Sequence, residues 1–97
     1  MDAALEAYIR RREALIADVR DILHSELHVS YEVEAIDLDA ALFGSGLGLD
    51  SIDALELVLA AENRFQITLP DSVLREALRT VNSLVDVVLA RQGSHAA

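Results

Sequence analysis

Phe43-Gly-Ser-Gly-Leu-Gly-Leu-Asp-Ser-Ile-Asp-Ala-Leu-Glu-Leu-Val58 changes character halfway along. Its first part is punctuated by Gly44, Gly46 and Gly48, which favour a turning backbone over a helix or strand. Its second part begins with a helix signal. Asp50 is suited to the N-cap, and Asp53, three residues later, supplies the reciprocal acidic partner of a capping box. From there Ala54, Leu57, Val58, Ala61 and Phe65 recur at three- and four-residue spacing, which predicts a helix to about Phe65 with this face in the core. Ile52, Leu55 and Leu59 make a second stripe. With the first face buried, part of that stripe is expected at the surface, among Asp53, Glu56 and Glu62.

Toward the N-terminus, Leu5 to Leu27 has the same helical periodicity. Leu5, Tyr8, Arg12, Leu15, Val19, Ile22 and Leu23 fall near one face, with Ile9, Ile16 and Leu27 flanking it. Arg10 to Arg12 mark either an exposed turn of this helix or a soft joint behind an N-terminal extension. Val29 to Val33 alternates apolar and polar residues, but one short segment without a pairing partner reads as the start of a loop. Ile36, Leu38, Leu42, Phe43 and Leu47 are expected to anchor that loop in the core. Toward the C-terminus, Pro70 blocks any preceding helix, and Asp71 or Ser72 is expected to cap a short one through Val73, Leu74, Ala77 and Leu78. Thr80 should cap the last helix, with Leu84, Val85, Val88 and Leu89 buried, and Gly93 should end it. The expected fold is all-α: three principal helices and one short helix, with a long loop between the first and second. It forms a single domain over 1–97, with its core at about 5–92 and a frayed tail at 93–97.

Composition supports this. Ninety-seven residues suit one compact domain, and apolar residues reach 53% with only 4% aromatic, so Leu, Ala, Val and Ile must build the core. There is no cysteine, which excludes disulfides and thiolate chemistry from the chain itself. Neither a secretory signal nor an apolar run of spanning length is present, and a cytoplasmic protein without membrane insertion is expected. The net charge is −9, and nine acidic side chains but no Lys or Arg lie between Ser25 and Glu62. Such a field repels nucleic-acid phosphates and attracts basic protein surfaces.

Ser51 falls at the first residue of the predicted helix, behind the glycine-rich approach. A capping serine is the ordinary reading, but Asp50 beside it already fills that role. A phosphodiester on an exposed hydroxyl there would lie near unpaired N–H groups and the positive end of the helix dipole. Serine hydrolysis is poorly supported. His24 and His28 sit at the end of the first helix, His95 lies in the tail, and GLGLDS lacks the G-x-S-x-G elbow. His24, His28 and Glu32 do not form the H-E-x-x-H metal pattern. The glycines lack the lysine of a nucleotide loop, and the carboxylates lack the order of a calcium loop.

The quoted segment resembles the modification region of the acyl carrier protein family. Leu47-Gly48 and Asp50-Ser51-Ile52 stand at its D-S-L motif, with Ile52 for the commoner Leu. Asp53, Glu56, Leu57, Val58, Glu62, Phe65, Ile67, Pro70, Thr80-Val81 and Leu84-Val85 continue the likeness, which covers roughly Leu15 to Leu89. The resemblance implies a monomeric, non-catalytic carrier with 4'-phosphopantetheine on Ser51, derived from coenzyme A, whose thiol holds acyl groups as thioesters. It implies that Asp50 presents Ser51. It also implies that Asp53, Glu56 and Glu62 meet basic patches on a phosphopantetheinyl transferase, a ketosynthase and other acyl-processing enzymes, beside Ile52, Leu55 and Leu59. An acyl chain can slip between the helices in this family. Arg64, Arg75, Arg79 and the early start of the first helix depart from fatty-acid carriers, and the GLGLDSIDALEL wording favours a dissociated polyketide or aryl-polyene pathway. The rival expectation is an unmodified helical interaction module with an acidic docking face; a serine hydrolase is a remote third.

Overall fold

The computed structural model describes residues 2–27, 36–43 and 46–96, and side chains as far as residue 92. Its elements are α1 (Ala3–Ser25), α2 (Ser51–Phe65), α3 (Asp71–Ala77) and α4 (Val81–Ala96). The all-α arrangement of three longer helices and a short one follows the expectation. None of the described helices is long and apolar enough to cross a membrane.

α1 starts two residues earlier than its apolar periodicity indicates, because Asp2 caps it by accepting from the Ala4 N–H at 2.9 Å. It passes through Arg10–Arg12 unbroken, so there is no soft joint. At about 1.5 Å per residue its 23 residues span roughly 35 Å, close to the 38 Å long dimension of the molecule. This length explains one correction. Leu15, Val19, Ile22 and Leu23 are buried against α2 and α4, but Leu5, Tyr8 and Ile9 stand exposed. Periodicity selects the face, while the reach of the neighbouring helices decides how much of it is covered. Arg12 marks the upper edge: it pairs with Asp86 and donates to Asn82 Oδ1 of α4.

Among the described residues the core is aliphatic apart from Phe65, and no polar residue is buried. Leu57, Ala61 and Phe65 enter it from α2, and Val81, Leu84, Val85 and Val88 from α4. The connection between α1 and α2 contributes Ile36 and Leu42, as expected, and also Leu49. Leu38, Phe43 and Leu47 pack against the core only half-buried. Val29 and Val33 lie outside the described residues.

Backbone contacts hold this connection in place. The Leu42 N–H donates to the Arg79 carbonyl at 3.0 Å, and the Asn82 N–H donates to the Leu38 carbonyl at 3.0 Å. The segment then turns back on itself, with the Leu47 N–H on Ala41 O and the Leu49 N–H on Leu42 O. The turn requires glycine at 46, where a Cβ would fall 1.8 Å from the Ala41 carbonyl oxygen. Gly48 adopts φ 76°, the left-handed region that glycine enters without penalty.

α2 ends where Gln66 turns into the left-handed region, its N–H still bonded to the Glu62 carbonyl. The start of α3 differs from expectation. Pro70 occupies the N-cap position without a side-chain bond, so neither Asp71 nor Ser72 caps. Asp71 is already helical, and its negative charge in the first turn complements the positive end of the helix dipole. Thr80 does cap α4: its Oγ1 accepts from the Ser83 N–H at 3.0 Å, and Ser83 Oγ accepts from the Thr80 N–H at 2.8 Å. α4 continues through Gly93 to Ala96, so the helix neither stops at that glycine nor leaves all of 93–97 as a tail. An interior glycine weakens a helix by about 1 kcal/mol relative to alanine, which does not by itself terminate it.

Candidate functional site

Ser51 is the first residue of α2 and is exposed. The residues on both sides hold its backbone. Leu49 is buried two positions earlier. Asp50 is extended, with φ −110° and ψ −175°, and its Oδ1 accepts from the Asp53 N–H at 2.9 Å. Asp53 Oδ2 accepts in return from the Asp50 N–H at 2.9 Å. This closes the capping box read from the sequence, with Asp standing for the commoner Glu. The Asp53 amide holds the Asp50 carboxyl below its ordinary value, so the cap is anionic at neutral pH. Ser51 takes no part in that reciprocal pair. Its hydroxyl is therefore placed on a fixed base without being used to build it.

α2 exposes Ile52, Leu55 and Leu59 as one stripe, 56–68% accessible, with exposed Glu56 beside it. Large apolar side chains this open and this regular are the kind that protein contacts use. The other predicted acids are less free. Asp53 is half-buried and committed to the cap. Glu62 is half-buried, and its Oε2 accepts from the Leu69 N–H at 2.8 Å, which pins the chain after α2. Arg64 does not dilute the acidic face. It turns to α1, with Nη1 3.1 Å from Asp18 Oδ1 and Nη2 2.8 Å from Asp21 Oδ2, and the Asp21 hydrogen bond raises its pKa.

Beside the stripe a cleft of about 330 Å³ opens between α2 and α3, lined by Ala54, Val58, Leu59, Leu74 and Leu78 among others. Sequence periodicity placed these residues on helices but could not show the space between them. His24 is exposed in the last turn of α1. His28, Glu32 and the side chain of His95 lie outside the described residues, and among those described no cluster of metal-binding side chains occurs.

A phosphodiester fits this site. The hydroxyl is open to solvent at the N-terminal, positive end of the α2 dipole, and a partly apolar cleft opens further along the same helix. The sequence matches the family described as "phosphopantetheine attachment site" over residues 17–88. It is 42% identical over 67 residues to an acyl carrier protein of Aster yellows witches'-broom phytoplasma, covering 69% of this chain and 83% of that protein. It is 40% identical over 75 residues to an acyl carrier protein of Campylobacter concisus, covering 77% and 88%. The fold is similar to the crystal structure of an acyl carrier protein from Thermotoga maritima, with TM-score 0.72, 27% identity, and coverage of 87% of this chain and 93% of that one.

Proposed function

Because the chain belongs to the acyl carrier protein family, whose prosthetic group is 4'-phosphopantetheine, we propose that Ser51 is its attachment point and that the protein presents thioester-bound acyl groups to partner enzymes. One observation carries the assignment to Ser51: it is an exposed hydroxyl at the start of a helix whose cap is closed by Asp50 and Asp53 without it. Loading forms a bond between Ser51 Oγ and the phosphorus of the pantetheine phosphate of coenzyme A. The nucleotide half leaves, and the hydroxyl proton passes to the transferase. The group then supplies the thiol that this cysteine-free chain lacks.

The chain's own contribution is positioning and recognition. Asp50 fixes the start of α2, and Leu49 anchors the approach. Ile52, Leu55 and Leu59 offer apolar contacts, and Glu56, with help from Asp53 and Glu62, meets basic residues of a phosphopantetheinyl transferase, a ketosynthase and similar enzymes. The cleft between α2 and α3 offers room for an aliphatic chain. We read the protein as a monomer that acts in the cytoplasm, where its partners carry out the catalysis. A specialised pathway of polyketide or aryl-polyene type is favoured over housekeeping fatty-acid synthesis. Exposed Arg75 and Arg79 and the extended α1 support that preference.

Incubation with coenzyme A and broad-specificity transferases should add the mass of one phosphopantetheine, and Ser51→Ala should abolish the addition while leaving the helical spectrum intact. An unchanged mass with several competent transferases would overturn the proposal. An unmodified interaction module would give that result, whereas a serine hydrolase would cleave simple esters unaided.

A further inference from the structure

A second, wider groove of about 690 Å³ lies between the α1–α2 connection and α3. Phe43, Leu74 and Leu78 form its apolar lining, and Arg75 and Arg79 flank it. Leu74 and Leu78 also line the cleft between α2 and α3, so the two spaces share a wall. The groove is tied to the start of α2. The Leu42 N–H bonds the Arg79 carbonyl, and Phe43 bridges Leu49, two residues before Ser51.

Two of the chain's eight arginines line this one groove. Arg12 and Arg64 are each paired with carboxylates. Arg75 and Arg79 are exposed and form no ion pair among the described residues, within a chain of net charge −9. The one carboxylate lining the groove, Asp39, is held by the Asn82 amide, whose Nδ2 donates to it at 2.7 Å. An aliphatic cargo needs only the apolar lining. Two planar, permanently charged forks at its edge add recognition of a carboxylate.

We propose that this groove holds a tethered acyl group ending in a carboxylate, with its methylenes on Phe43, Leu74 and Leu78 and its anionic end on Arg75 and Arg79. The inference rests on attachment of the arm at Ser51. It gives the carrier a preference for dicarboxylic over monocarboxylic acyl groups. The pairs are solvent-exposed, so the preference should be several-fold.

The test loads isotopically labelled protein with glutaryl- or pentanoyl-phosphopantetheine, two chains of equal length that differ in terminal charge. Nuclear magnetic resonance should show shifts at the Arg75 and Arg79 Nε–H groups and the Leu74 and Leu78 methyls with glutaryl that pentanoyl does not produce. The double variant Arg75→Gln/Arg79→Gln should lose the glutaryl-specific shifts, and Arg75→Lys/Arg79→Lys should keep part of them. If Ser51 gains no mass, the carrier reading falls and this inference with it. If Ser51 loads but both cargoes give the same shifts, only the groove assignment falls. Equal shifts from free glutarate at the same ratio would overturn the tethered occupant. If the Gln variant slowed partner enzymes while keeping the glutaryl shifts, the arginines would instead belong to a surface for an acidic protein.

Discussion

Leu57→Ala and Leu55→Ala make the same chemical change two residues apart on α2 and should have opposite consequences. Leu57 is fully inaccessible to solvent, whereas Leu55 is 61% exposed. Burying a leucine contributes about 1.5–3 kcal/mol, and the cavity left on truncation raises the cost of Leu→Ala to about 2–5 kcal/mol. The surroundings place Leu57 well inside that range. Ile22, Leu23, Leu84 and Val85 of the same core are themselves fully buried, so little can collapse into the gap without opening another. A domain of this size has roughly 5–15 kcal/mol of stability and loses about 4–8 °C of melting temperature per kcal/mol, so Leu57→Ala should melt roughly 10–30 °C lower. Leu55→Ala should stay within about 0.5 kcal/mol of the parent. Its effect should appear in function, as slower loading by the transferase or weaker docking to an acyl-processing enzyme. Thermal and urea unfolding followed by far-ultraviolet circular dichroism measure the first pair of values, and mass-resolved loading rates measure the second. Comparable destabilisation by the two variants, or a Leu57→Ala cost below about 1 kcal/mol, would refute the division of α2 into a core face and a contact face.

Gly46→Ala should cost about 1–3 kcal/mol, because the new methyl meets the Ala41 carbonyl and the turn must open; a parent-like urea midpoint would contradict that approach. Glu56→Lys should leave the melting temperature nearly unchanged, slow partner-dependent transfer and weaken the dependence of the rate on salt, and an unaltered salt profile would remove electrostatic docking from the account. The pKa of Asp50 is lowered in the folded state, so its contribution to the α2 cap is present above its ordinary value of 3.8 and is lost as pH falls below it. Amide shifts of Ser51 and Asp53 should follow that loss, and Asp50→Asn should keep the cap while flattening the titration.

The start of α2 was legible in the sequence because it depends on local chemistry: the Asp50–Asp53 pair spans three residues, and both of its bonds form in the structure. The exposed stripe of Ile52, Leu55 and Leu59 followed from the same periodicity once the opposite face was assigned to the core. What escaped depends on distance. Arg64 meets α1 residues more than forty positions away, and no spacing rule in the sequence indicates that pairing. Glu62 read as a free surface acid because its partner, the Leu69 N–H, comes within reach only through the left-handed turn at Gln66. Leu5, Tyr8 and Ile9 obey the α1 period and still face solvent, since a period carries no information about where a neighbouring helix stops. The space beside α3 likewise depends on how the connecting segment lies against Arg79.

The closed bond between Asp50 and Asp53 also bears on the carrier role proposed for Ser51. If Ser51 had been the cap, each attachment or removal of the arm would have made and broken the hydrogen bond that starts α2, and the bare and loaded forms would have differed in backbone. With the cap closed by its neighbours, the proposed attachment at Ser51 should leave the start of α2 the same whether the hydroxyl is empty, carries a bare arm or carries a charged one. On that proposal, enzymes that must tell these forms apart would have to sense the arm and what it carries, and the helical surface would serve as a common address for all of them.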